Sequence, residues 1–245
     1  MNLSTGQESY LKEFERCLAL LRTQKETFEI ICRKIFESLR ADGVLHVFGS
    51  GHSHSFAEEM FHRAGGLVPV NALLEDYLMP HAGTQVGPME RLGGLGSIIL
   101  NKYDLRKGEV LLLASNSGIN AVTVELAEKA RSIGLTTVAI TSLTHSKGVP
   151  ARSNKKLYEV TEHVIDTGTP VGDACVPLQG LPIKVAPLSG GISLLIGELI
   201  VVRTAELFIE NKLEPPIYQS ANTPGGDERN KILEAKYKGR IRHLR

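Results

Sequence analysis

VLLLASNSGIN, residues 110–120, decides the fold. Val110 to Ala114 is a short apolar run without a charge, the composition of a strand buried on both faces. Ser115-Asn116-Ser117-Gly118 breaks the run, and Asn120 stands where the next periodic segment begins. That segment reads as a helix over Ala121–Ser132, and Thr136–Thr141 reads as the strand after it. Strand, turn, helix, strand is the right-handed βαβ unit of a parallel sheet.

The same rhythm extends in both directions. Val44–Phe48 is an apolar run ending at Gly49-Ser50-Gly51-His52-Ser53, with a helix expected from about Ser55 to Ala64. Leu67–Leu73 reads as a second strand and His163–Asp166 as the last of five. Pro80–Ser97 is rich in Gly and Pro, carrying Gly83, Gly87, Pro88, Gly93, Gly94 and Gly96, and is a candidate lid. Leu11, Phe14, Leu18 and Leu21, then Phe28, Ile31, Ile35 and Leu39, recur at helical steps, so the first forty residues read as helix. Ser189–Ile209 is apolar nearly all round, which requires cover on every side and points to a subunit interface. The expected architecture is α/β, a three-layer αβα arrangement on a five-stranded parallel sheet with N-terminal helices and a long buried C-terminal helix. Its divisions are 1–42, an N-terminal helical segment; 43–214, the α/β domain; and 215–245, a tail read as an appendage.

Composition narrows the function. With 28 basic against 27 acidic residues the net charge is +1, which supplies no field for nucleic acid. Cys17, Cys32 and Cys175 lack metal spacing and follow no signal sequence, the pattern of reduced thiols in a cytoplasmic protein. No apolar run approaches the ~20 residues of a membrane span.

The chemistry lies in two strand-to-helix turns. In a parallel sheet both fall at the carboxyl edge, where open α/β sheets bind ligands. Ser50, Gly51, His52 and Ser53 form one; Ser115, Asn116, Ser117 and Asn120 form the other. Glycines admit close backbone approach, amides at a helix start point at the ligand, and serine hydroxyls add donors. A phosphate is the ligand these groups suit, held without Lys or Arg. Gly-x-Gly-x-x-Gly fails because the sixth position is His54, and Gly-x-Ser-x-Gly fails at Ser55. His52 and His54 supply at most two zinc ligands with no third in view, so neither a metal nor a cofactor is expected.

"VLHVFGSGHSHSFAEE", "VLLLASNSGINAVTVELAEKARSIGLTTVAIT" and the helix after "LSGG" resemble the sugar isomerase (SIS) domain family. The resemblance spans roughly residues 30–212 and is similar to single-domain members such as phosphoheptose isomerase; "SANTPGGDERN" is similar to an uncharacterised single-SIS-domain group. It implies that phosphate sits on Ser115, Asn116, Ser117 and Asn120, that Ser53 faces the sugar, and that a homodimer or homotetramer completes the site. That family's phosphoheptose isomerase-like members carry a Glu on the helix after the first turn and a late His. Here Glu58 and Glu59 fall about one turn early, and no late His before His243 fits.

Aldose–ketose isomerisation needs a base near C1 and C2. Glu59 and Glu75 are the carboxylate candidates, though Glu59 also reads as a solvated helix residue and Glu75 as a cap. His54, or His52, is a candidate for ring opening, and His81 for closure over the ligand. Asp166–Asp173, Asn222, Asp227 and Asn230 read equally as turn residues and sugar contacts. The expectation is a phosphosugar-binding protein acting as an aldose–ketose isomerase. The alternatives are a non-catalytic phosphosugar sensor, a deglycase or an etherase.

Overall fold

The computed structural model describes residues 3–244. Two helices, α1 (Thr5–Thr23) and α2 (Lys25–Arg40), precede the sheet. The strands are β1 (Leu45–Gly49), β2 (Val70–Ala72), β3 (Val110–Ala114), β4 (Thr136–Thr141) and β5 (His163–Asp166), all parallel in the order β2-β1-β3-β4-β5. Helix α3 (His54–Met60) follows β1, α4 (Val86–Glu90) and α5 (Leu95–Leu100) lie between β2 and β3, and α6 (Ala121–Ile133) follows β3. Short helices α7 (Leu143–Gly148) and α8 (Leu157–Val160) link β4 to β5. A hairpin of β6 (Ala174–Val176) and β7 (Val185–Pro187) leads to α9 (Ser189–Glu210), and α10 (Gly226–Ala235) lies in the tail.

Alternation along β3 builds the layers. Val110, Leu112 and Ala114 join Ile31, Ile35, Phe56, Ile192, Ile196 and Ile200 on one face. Leu111 and Leu113 join Ile99, Val122, Leu126 and Leu157 on the other. Successive side chains of a strand point to opposite faces, so a wholly apolar strand must be covered twice. The three-layer αβα fold with a five-stranded parallel sheet is the one the sequence implies.

Three stretches differ from expectation. The second strand is confined to Val70–Ala72: Pro69 has no amide to give the ladder, and Leu67 instead bridges antiparallel to Ile217. Helix α3 stops at Met60, not Ala64, because Phe61 is extended and His62 takes φ +48°. The tail is no loose appendage. Tyr218, Tyr237 and Ile241 are buried with Val44 and Val68.

Helix α9 buries Ile192, Ile196, Ile200 and Leu207 within the chain, while Leu199, Val202 and Ile209 are 41%, 55% and 64% exposed. An apolar groove between α1, α2 and α9, lined by Leu18, Leu21, Phe28, Leu195, Leu199 and Val202, runs along that open face.

Candidate functional site

Chain order places a crevice at the carboxyl ends of β1 and β3. Strand β1 leads to β2 on one side, and β3, β4 and β5 extend on the other, so the direction of winding reverses between β1 and β3. The crevice at such a reversal, outside the carboxyl ends, is where α/β sheets take ligands. Gly49 and Ala114 are register partners at that edge, so the turns after them leave side by side.

The first turn folds tightly over the end of β1. A Cβ on Gly49 would lie 1.9 Å from the Ser53 carbonyl oxygen, so only hydrogen fits there. Gly51 takes φ +55° and opens a single 3-10 turn through Ser53. In the second turn the Gly118 amide donates to Ser115 Oγ at 3.2 Å, and Gly118 takes φ +60°. Asn120 is then extended and begins α6. Helix amides and dipole therefore point into the crevice from this side.

The expected site residues divide by what they touch. Ser53 and Ser117 are half-buried, and their hydroxyls have no partner among the described residues. Ser115 shapes its own turn. Asn116 is committed sideways: its Oδ1 accepts from Thr169 Oγ1 at 2.7 Å, and its Nδ2 stands 3.4 Å from His145 Nδ1. His52 and His81 are exposed. His54 is fully buried. Its Nε2 accepts from the Glu75 amide at 3.4 Å, so the proton is on Nδ1, which has no partner among the described residues. Burial lowers its pKa.

The two carboxylate candidates are each paired with a cation. Glu59 pairs with Arg63 just past α3, which also reaches Glu198 of α9 at 3.5 Å. Glu75 is 5% exposed and holds Lys102 Nζ at 2.5 Å and the Tyr103 hydroxyl at 3.3 Å. Asp173 and Asn230 bond to neighbouring backbone. Asp173 accepts from the Leu188 and Ser189 amides and the Ser189 hydroxyl at the start of α9, and Asn230 brackets the backbone of Gln219.

A third carboxylate, which no sequence pattern singles out, occupies the gap between the turns. Glu90 Oε1 accepts from Ser50 Oγ at 2.6 Å, and Oε2 accepts from Asn120 Nδ2 at 3.0 Å, so this side chain joins the two turns. Arg152 Nη1 donates to Asn120 Oδ1 at 3.0 Å and adds a cation at the rim, against the expectation of a site without Lys or Arg. Glu90 ends α4, inside the glycine-rich segment read as a lid. That segment is docked. Glu125 of α6 accepts from the Gly94 and Gly96 amides at 2.8 and 3.1 Å, and Gly96 lies too close to the Val122 carbonyl to carry a side chain. The only sequence signal of Glu90 is a carboxylate between glycines.

Among the described residues no three His, Cys, Asp or Glu side chains are grouped to hold a metal ion. No helix among them is long and apolar enough to cross a membrane.

A family profile described as the SIS domain matches residues 9–142. A UPF0309 protein of Caldanaerobacter subterraneus subsp. tengcongensis is 39% identical over 96% of this chain and 98% of its own length. A second UPF0309 protein, from Geobacillus thermodenitrificans, is 36% identical over 93% and 92%. Among solved structures, phosphoheptose isomerase from Neisseria gonorrhoeae aligns with a TM-score of 0.53 at 18% identity, covering 83% of this chain and 96% of its own. The enzyme of the same name from Francisella tularensis aligns at 0.52 and 16%, covering 83% and 100%. At such identities the likeness is one of fold.

Proposed function

The chain belongs to the SIS domain family, and from that premise we propose that it holds a phosphosugar in the β1/β3 crevice and interconverts its aldose and ketose forms. The carrying observation is the pairing of two serine turns at the winding reversal, with the Ser53 and Ser117 hydroxyls uncommitted among the described residues and a carboxylate between the turns. Ser117, the amides of its turn and the start of α6 take the phosphate; Ser115 and Asn116 keep that turn in shape. Ser53 faces the sugar. A hydrogen bond to a charged acceptor contributes about 1.5–3 kcal/mol, and immobilising a ligand costs about 4–15 kcal/mol. A handful of such bonds leaves a small surplus, suited to a metabolite that binds and leaves.

The open face of α9 supports a second copy of the chain as its cover, a homodimer or homotetramer, since Leu199, Val202 and Ile209 otherwise face water.

Thermal-shift screening against five-, six- and seven-carbon aldose and ketose phosphates, followed by incubation of the hits in deuterated water, tests the reading. Stabilisation by a sugar phosphate but not its free sugar, with label entering C1 or C2, is the expected result. Stabilisation without label removes the isomerase and leaves a sensor. No stabilisation by any phosphate removes the binding reading as well.

A further inference from the structure

Several carboxylates approach this end of the sheet, and their partners separate Glu59, Glu75 and Glu90. Glu59 is neutralised by Arg63, and Glu75 by Lys102 with Tyr103 against it. Their charge is spent on structure. Glu90 has neither Lys nor Arg in salt-bridge reach among the described residues; its hydrogen-bond partners are the neutral Ser50 and Asn120, one from each turn. A carboxylate offers about four acceptor positions, so one bond to each oxygen leaves a lone pair on each for a ligand. Gly51 keeps that side of the group open, since a Cβ there would lie 3.3 Å from Oε1.

Resting on the phosphosugar reading above, we propose that Glu90 is the catalytic base of the crevice, and that it selects a sugar whose phosphate lies at the chain end remote from the carbonyl. The second part follows from charge. Ser50 Oγ and Asn120 Nδ2 already serve an anion, while the Ser117 hydroxyl is unengaged and Arg152 on Asn120 Oδ1 adds a cation to the second turn, so the dianion goes to the Ser117 end. C1 and C2 then lie toward Glu90.

The chemistry balances without a co-reactant. Glu90 takes the proton from C2 of the open-chain aldose. The C–H electron pair becomes the C1–C2 double bond, and the carbonyl π pair moves onto O1. The proton on O2 passes to O1, the O2 pair forms the new carbonyl, and the double-bond pair takes the proton back from Glu90 at C1. Product is the ketose and Glu90 is again a carboxylate. Ser50 and Asn120 act through Glu90: they hold its plane fixed, and are positioning residues.

The test compares wild type, Glu90→Gln and Glu59→Gln, each checked for an unaltered melting profile, with Glu90→Asp as a second variant at the site. Glu90→Gln is expected to bind the hit sugar phosphate as tightly as wild type or more tightly, since a repelling charge is gone. Its label exchange at C1 and C2 falls by on the order of 10²–10⁴-fold. Glu90→Asp recovers part of that exchange, and Glu59→Gln exchanges at the wild-type rate. Wild-type exchange in Glu90→Gln overturns the assignment while leaving the isomerase reading intact. Loss of exchange in Glu59→Gln with retention in Glu90→Gln moves the base to α3. Wild type that binds phosphosugars yet exchanges no label overturns the base role and the isomerase together.

Discussion

Arg240 Nη2 lies 2.5 Å from Glu109 Oε1, although the two residues are 131 positions apart. The same carboxylate accepts from the Val44 amide at 3.0 Å and the Arg106 amide at 2.8 Å, and stands 2.8 Å from His46 Nε2. His46 Nδ1 in turn lies 3.2 Å from Asn71 Nδ2. One buried acid thus ties the entries of β1 and β3 to the end of the chain, at the edge of the sheet opposite the crevice.

Arg240→Ala takes the guanidinium from a buried carboxylate that keeps the Val44 and Arg106 amides and His46, a change that costs about 1.5–3 kcal/mol, the worth of one hydrogen bond to a charged group. Urea unfolding is expected to show the loss, with phosphosugar binding per folded molecule unaffected because the crevice is at the other edge. An unshifted midpoint would mean the tail contributes nothing through this pair.

Acid should find the same acid group. Burial by itself would raise the pKa of Glu109; hydrogen bonds from His46, Arg240 and the Arg106 amide outweigh it and hold the value down to about 2, against an ordinary 4.5. The unfolded chain therefore takes up the proton first as pH falls. This group's stabilisation is complete above about pH 4.5 and is lost between there and about pH 2. In Glu109→Gln the slope of stability against pH over that window should flatten. An unchanged slope in the variant contradicts the assignment.

Ser117→Ala removes a hydroxyl facing the crevice. Phosphosugar affinity is expected to drop roughly ten- to a hundredfold, the equivalent of one bond to a charged acceptor. Gly118→Ala should do more. Its φ is +60°, and a Cβ would stand 3.1 Å from Leu157 Cβ and Thr141 Oγ1, so the turn itself must move. Titration calorimetry decides both, and a Ser117→Ala protein that binds like wild type refutes the phosphate placement.

Val202→Asp puts a charge on the open face of α9. Because Val202 is 55% exposed in the single chain, the fold should survive while self-association is lost. Sedimentation velocity should show a smaller species than wild type; the same species in both refutes the α9 interface.

What can be read in the residue order is whatever depends on neighbours in the chain. Val110–Ala114 and Thr136–Thr141 carry their burial in their own composition, and the two serine turns follow from the strands they end. Pro69 shows the limit: one missing amide shortens β2 inside a run that is otherwise apolar. Glu90 is illegible for another reason. Its meaning comes from Ser50 and Asn120, 40 and 30 positions away, and no local pattern records which glycine-flanked acid will meet them. Arg152 and His145 escape likewise, each identified only by an asparagine of the second turn. In the tail Leu233, Tyr237, Ile241 and Leu244 recur at helical steps, but nothing local records that they meet Val44 and Val68.

The two serine turns and the carboxylate that joins them hang from different pieces of chain. Both serine turns are rooted in adjacent strands of the sheet, whereas Glu90 arrives on the connection between β2 and β3, fastened to the rest through Glu125. A lineage carrying this architecture is free to rewrite that connection, lengthening it or exchanging its acid, without disturbing the anchor beneath. A fixed scaffold with an interchangeable acid is what such a division permits, and a graft of residues 80–97 between relatives, which leaves Glu109 and its partners in place, is the natural unit in which to look for it.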